Sequence, residues 1–413
     1  AAVTIENITI RDSVTNHRSL LFNQGKLTLL HDDFTNNTIT ASLHKSYQSA
    51  VISNRGTLQI NDTQVERNQI MSCTSSSSIY NIGILHMQDG RIASNSVPNN
   101  CLNQVSQKTI AGIGINNAST GEVSILGSLI FNNIGAGAGG GIANSGEMTI
   151  MSSMVAHNKT IGPAGGGGIF NQGTLNIQDS SVNDNSTEIA PQLAQKLASQ
   201  NDPISAGGGI NNEGDISLLN STISENATTV SNGTQFNTQQ PTMLAGGGIF
   251  NNEGNISADF CTIYDNSAQA DGGGLYVVND PTHKTITSTT PRVQIKNSIV
   301  AANKAGAMPD IAGVIVTGGY NLFQSTVGTA IIDPKQKHRT DLTNIADNML
   351  HIDPQAHPYG EQIAMIHTLL PNSPAIDHVP LTACDAPTDQ RLIQRPQGEG
   401  CDSGAFEYDE AAP

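Results

Sequence analysis

Between residues 112 and 275 one short phrase keeps returning: GIGINNASTGEVSI, GGGIANSGEMTI, GGGGIFNQGTLNI, GGGINNEGDISL, GGGIFNNEGNIS and GGGLYVVND. Self-similarity at a period of a few tens of residues is the signature of a solenoid, in which each repeat buries its apolar face only by stacking on its neighbours. The marker glycines Gly121, Gly146, Gly173, Gly214 and Gly254 are separated by steps of 25, 27, 41 and 40 residues. A coil of about 25 residues, lengthened by insertions in some turns, accounts for both step sizes.

Each repeat reads as three short strands. In the repeat that begins at Gly165 they are Gly168 to Phe170, Thr174 to Ile177 and Ser180 to Val182, closed by Asn185. The runs are too short for helices, alternate polar with apolar and are bounded by Gly, Asn and Asp. The pattern predicts an all-β fold, a right-handed parallel β-helix of roughly ten or more coils with loop insertions and a C-terminal capping segment. Weaker marks at Gly25, Gly56 and Gly83 extend it towards the N-terminus. Residues 1–310 are assigned to the repeats and 311–413 to the last coils and a capping module. Leu175, Ile177, Ile216, Leu218 and Ile223 are expected inside, stacked on their equivalents one coil away.

A third recurring element, Ser/Thr-Ile/Val-x-x-Asn, ends at Asn133, Asn158, Asn185, Asn226, Asn266 and Asn303. The amide of asparagine both donates and accepts, and asparagine tolerates a left-handed backbone, so these residues are expected to form a hydrogen-bonded ladder at one corner.

Charged residues make up 13% of the 413 positions and the formal net charge is −16, which argues against a grip on nucleic acid or on an anionic membrane. No run of 18 apolar residues occurs, so no membrane span is expected. With no Trp and few other aromatics, stacking surface for sugars is scarce. The chain starts directly in a strand pattern, VTIENITI, so its first coil calls for a cover from a preceding segment or from head-to-tail docking of another subunit. Cys384 and Cys401 bracket a Pro- and Gly-rich loop, and Cys73 and Cys101 an irregular insertion, so two disulfides are expected. Cys261 aligns with Ser221 and Ser181 of earlier coils and is expected buried and free. Ten Asn-x-Ser/Thr sequons follow from composition alone.

The C-terminal segments GGYNLF (318–323), LLPNSPAID (369–377) and TDQRLIQRPQGEGCDSGAFEY (388–408), together with NSIVAANKA and the GGGI repeats, resemble bacterial secreted or surface β-helix proteins that carry a choice-of-anchor Q module. The resemblance covers residue 110 to the end and implies an extracellular or cell-surface setting. The family commonly opens with a CSLREA-type segment and ends in an interchangeable anchor, and neither occurs in these residues. Arg391 and Arg395 are expected to pair with Asp377, Asp389 and Asp402 and so pin the segment across the last coil. Phe406 and Tyr408 are expected to cover the apolar end of the stack.

The leading functional expectation is a non-enzymatic structural or adhesive protein. Its contacts with a surface glycan or protein would come from the insertions 186–205, with a helix candidate APQLAQKLAS, and 227–244, and a further projection is expected at 279–294. The alternatives are a polysaccharide-degrading enzyme and a self-assembling filament subunit. An enzyme would need two facing carboxylates, for which Asp32 with Asp33 or Asp184 with Glu225 are candidates. No polygalacturonase-type GHG or RIK motif is present, and no catalytic, cofactor or metal site is assigned.

Overall fold

The computed structural model describes residues 2–40, 49–72, 76–98, 112–191, 206–230, 244–278, 293–334, 340–359 and 362–409. Parallel strands stack coil upon coil into a β-helix. One line of strands runs from Ala2–Glu6 through Lys26–Leu30, Glu147–Met151, Thr174–Gln178 and Asp215–Leu219 to Val293–Lys296. A second runs from Ser19–Asn23 through Ile169–Asn171 and Ile210–Asn212 to Leu275–Val277. The long strand Ile311–Gly319 joins these two lines into one sheet of 21 strands. The third line, 12 strands from Thr9–Arg11 to Leu342–Thr343, counts the coils.

A fourth, shorter line amends the three-strand reading. Lys159–Ile161, Ser186–Ile189 and Ala227–Val230 pair in parallel after each ladder asparagine. The insertions read as 186–205 and 227–244 therefore each begin as a strand. Their remainders, 192–205 and 231–243, lie outside the described residues, as do most of the APQLAQKLAS helix candidate, the projection at 279–292, Cys73 and Cys101.

Leu175, Ile177, Ile216, Leu218 and Ile223 are all buried in one continuous core with Leu58, Ile60 and Ile125. They meet because register is in step, Leu175 opposite Ile216 and Ile177 opposite Leu218. The marker glycine serves close approach. A Cβ on Gly173 would fall on the carbonyl oxygen of Gly146 one coil away, so no larger residue fits between the two corners.

Three columns of side chains hold the corners. In the first, each asparagine Nδ2 donates to the Oδ1 of the asparagine one coil further on. It runs Asn133 to Asn158 (2.9 Å), Asn185 (3.0 Å), Asn226 (3.0 Å), Asn266 (2.9 Å) and Asn303 (2.9 Å). It extends beyond the sequence-predicted series to Asn37, Asn68 and Asn95. These residues do not take the left-handed conformation. The residue before each does: His157 (φ 54°), Asp184 (51°), Glu225 (59°) and Asp265 (50°). The asparagine itself is turned inward and buried.

The second column joins Asn23, Asn54, Asn81, Asn117, Asn144, Asn171, Asn212 and Asn251 through Nδ2–Oδ1 bonds of 2.7–2.9 Å. The third is built of hydroxyls, with the backbone N–H of one rung donating to the Oγ of the next through Ser128, Ser153, Ser180 and Ser221. Cys261 is a rung of this column, level with Ser221 and Ser180 rather than Ser181. Its thiol is buried and unbonded to another cysteine, donates to the Asp259 carbonyl at 3.2 Å, and has its pKa pushed up to about 12 by burial. Sequon residues Asn117, Asn158, Asn185, Asn220 and Asn226 are all buried, most of them as rungs, which removes them as glycan acceptors in the folded protein.

Asn185→Ala should expose how much one rung carries. The Asn158 backbone N–H and Nδ2 both donate to the Asn185 Oδ1, at 2.9 and 3.0 Å, while the Asn185 Nδ2 donates to the Val155 carbonyl. Each buried group left unpaired costs about 1–3 kcal/mol, so a loss of roughly 2–5 kcal/mol is expected in chemical denaturation. A loss below about 1 kcal/mol would mean that water replaces the rung.

Candidate functional site

The C-terminal segment does not sit across the end of the stack. It runs back along the outer face of the 12-stranded sheet and touches five successive coils. Met365 N–H donates to Ser181 Oγ (3.0 Å), Thr222 Oγ1 bonds Gln390 (2.6 Å), Ala405 N–H donates to Thr262 Oγ1 (3.0 Å), Gly404 N–H to the Asn297 carbonyl (2.8 Å), and Ser403 Oγ to the Tyr320 carbonyl (2.8 Å). Phe406 and Tyr408 accordingly pack on this flank with Tyr264, Ile299, Ala301 and Leu322 rather than covering the last coil.

Two buried arginines lock the segment. Arg391 pairs with Asp389 (2.7 Å), as the sequence suggests, and lies between the rings of Phe406 (3.7 Å) and Tyr359 (4.7 Å). Arg395 pairs with Glu407 (2.7 Å), which sequence reading did not single out, donates to the carbonyls of Asp402 (2.8 Å) and Gly404 (2.7 Å), and stacks on Phe260 (4.5 Å). Asp377 and Asp402 are acceptors of backbone N–H groups instead: Asp377 takes Gly400, and Asp402 takes Asp377 and Tyr408. Burial, with the Glu407 carboxylate adding to it, raises Asp402 to about 7. Cys384 and Cys401 form a disulfide with Cα atoms 5.9 Å apart, closing the loop over Phe260 and Val379.

The carboxylates considered for catalysis separate into two cases. Asp32 and Asp33 are neighbours on a strand edge and point apart; Asp32 is buried and accepts the N–H groups of Ile8 (2.8 Å) and Leu30 (3.2 Å). Asp184 and Glu225 do come together, as successive left-handed corner residues in a column His157, Asp184, Glu225, Asp265. His157 Nδ1 meets Asp184 at 2.6 Å, and Lys304 closes the far end on Asp265. Burial first, and then the flanking Asp184 and Asp265, raise the Glu225 pKa. His157 and the backbone at Ala356 act the other way and lower it. Beside the column, the buried His367 packs against Tyr264 with ring centroids 4.5 Å apart and planes tilted by 43°, its Nδ1 on the Asp353 carbonyl, and burial lowers its pKa. The returning segment thus passes beside the acidic column, with Met365 bonded to Ser181 and His367 packed on Tyr264. The column's carboxylates stand in one line along the stack, one per coil, each at a left-handed corner.

A cleft of about 580 Å³ opens where the asparagine column ends, lined by Tyr264, Asn303, Asp310, Gln324, Asp347 and His351 among others. Asn303 donates both its N–H (3.3 Å) and its Nδ2 (2.9 Å) to Asp310 Oδ1, and Ser325 N–H donates to Oδ2 (2.7 Å). Burial outweighs these bonds and raises Asp310 to about 6. Among the described residues, no group of three or more His, Cys, Asp or Glu is arranged to hold a metal ion, and no helix is long and apolar enough to cross a membrane. Compared with protein-family models, with curated proteins and with solved structures, the chain matches none. The likeness of residues 318–408 to choice-of-anchor Q modules therefore rests on their motifs.

Two outcomes follow. Arg395→Met leaves Glu407 charged and buried without its partner and should cost about 3–5 kcal/mol. The same variant should make residues 362–409 the first point of limited proteolysis while circular dichroism of the solenoid persists. Simultaneous proteolysis of both parts would show that segment and coils unfold as one.

Asp310 has a folded-state pKa of about 6 against an ordinary value of 3.8, so between these pH values the native state holds the proton that the unfolded chain has released. Its contribution to stability therefore falls as pH rises from about 4 to about 6 and is level above that. Asp310→Asn should flatten that part of the stability profile measured by denaturant titration, whatever its absolute stability. An unchanged slope would place the titration elsewhere.

Proposed function

We propose that this chain is a non-catalytic extracellular or cell-surface protein, a stiff β-helix whose projecting segments and outer faces make adhesive or structural contacts. The observation that carries the reading is the lateral lock. A C-terminal segment fixed by a disulfide and two buried ion pairs spans five coils, so much of the buried charge of the molecule is spent on mechanical bracing. The disulfide suits an oxidising compartment. The motif likeness to choice-of-anchor Q modules supports a bacterial surface setting. The acidic column at Asp184, Glu225 and Asp265, the best alternative for a hydrolase, is a row of corner carboxylates with His157 and Lys304 paired at its two ends.

The test joins shape to chemistry. Twelve coils at about 4.8 Å give a rod on the order of 55 Å long, to be seen by negative-stain microscopy and sedimentation over a concentration series. Incubation with a panel of neutral and acidic polysaccharides should release neither new reducing ends nor unsaturated uronates. Release that Glu225→Gln abolishes would establish the enzyme instead, and particles that lengthen end to end with concentration would favour a filament subunit.

A further inference from the structure

Phe22, Ser53 and Tyr80 are register partners on three successive strands, so parallel pairing sets them in one outward row at about 4.8 Å per strand. Further along the row come Asn116, Ala143 and Phe170, all buried; Phe170, for example, lies under Ala138 and Ala164. At the Phe22 end the row is open. Phe22 is 53% exposed, Tyr80 is half-buried, and a cleft of about 480 Å³ forms there with His17, Arg18 and Arg55 on its walls.

The chemistry of this cleft is the reverse of the surface at large. The chain carries a formal net charge of −16, yet among the described residues the cleft is lined by two guanidinium groups and an imidazole with no carboxylate. The Arg55 guanidinium stands 5.7 Å from the Phe22 ring centroid, and the small Ser53 leaves a notch one strand wide between two aromatic rings. Aromatic faces suit the C–H face of a pyranose ring, while a planar guanidinium beside them suits a carboxylate or sulfate.

We propose that this cleft binds an acidic sugar residue of a polysaccharide, a uronate or a sulfated hexose, with its ring against Phe22 and Tyr80 and its anionic group on Arg55. The ligand class follows from the combination. A neutral sugar makes no use of the guanidinium, and a free anion makes no use of the exposed rings. A nucleic acid needs a continuous positive track that a chain of this charge does not supply. The proposal rests on the adhesive reading above and names the chemistry of one of its contacts.

Calorimetric titration of the full chain with tetragalacturonate, a sulfated heparin tetrasaccharide, a neutral galactose tetrasaccharide and a glutamate-rich octapeptide tests it. At least one acidic sugar should bind and the neutral sugar should not. Arg55→Ala and Phe22→Ala should each weaken binding roughly tenfold or more, with melting temperatures unchanged because both side chains are exposed. Arg55→Lys should also lose affinity, since an ammonium lacks the planar fork. The two acidic sugars distinguish carboxylate from sulfate. Absence of binding to both, binding that survives both alanine substitutions, or equal binding of the peptide would overturn the proposal. Cleavage of tetragalacturonate during the titration would overturn the non-catalytic reading and leave the binding site standing. A rod that neither cleaves nor binds would overturn only the binding site.

Discussion

The hydrogen bond from one asparagine amide to the next is the interaction on which the rest of this molecule depends. A coil of irregular length can stack in register only if its corners return to the same place, and the sequence separation between rungs varies from 25 to 41 residues. The rung fixes the corner regardless of what is inserted between rungs. Because the side-chain oxygen accepts from both the backbone N–H and the Nδ2 of the previous rung, a single buried atom satisfies two donors that would otherwise be stranded away from water. Apolar stacking supplies the bulk of the burial, but a column of alternating Leu, Ile and Val side chains tolerates slippage by a residue pair. The polar columns do not, since a slipped rung leaves buried amides unpaired.

The columns also have direction. Every rung donates towards the coil that follows it, so the final rung presents hydrogen to whatever comes next. An acceptor-only group completes such a row, and two columns end on one: the asparagine column on Asp310, and the hydroxyl column, through Ser298 and Asn321, on Asp341. Burial of Asp310 sets its pKa against this role: desolvation outweighs the donated hydrogen bonds, so this end of the stack is favoured by mild acid and loses that contribution as pH rises towards about 6.

Periodic features of the fold were legible in the sequence and non-periodic ones were not. The core positions, the parallel stacking and the asparagine series from Asn133 to Asn303 all follow from recurrence. Asn37, Asn68 and Asn95 escaped because their coils lack the GGGI phrase that marks the others. The second asparagine column was present as Asn-x-Gly in nearly every repeat, Asn171 before Gly173 and Asn212 before Gly214, but the glycine drew the turn assignment and hid its neighbour. Cys261 was placed one residue out of register because consecutive serines, Ser180 and Ser181, offer two equally good alignments. The flank docking has no periodic trace at all. Its contacts join residues as far apart as Ser181 and Met365, and nothing in residues 362–409 repeats the pattern they lie on. The Phe22 cleft was likewise invisible, since its residues come from three coils and are ordinary in each.

The lateral segment changes how the solenoid comes apart. An unbraced stack unfolds like a row of tiles, each coil held only by the two beside it, so that fraying at an end costs little more than one interface. From Ser181 to Tyr320, however, each successive coil is tied to the same strip of chain, and opening one of them strains the fastenings of the others. The coils before that region have no such tie among the described contacts. One chain is thereby divided into a part that behaves as a cooperative block and a part that peels, with the boundary set near the middle of the rod. Such a rod under load would yield from its first coils while the block remains intact, a mechanical fuse built from nothing more than where the chain chooses to return.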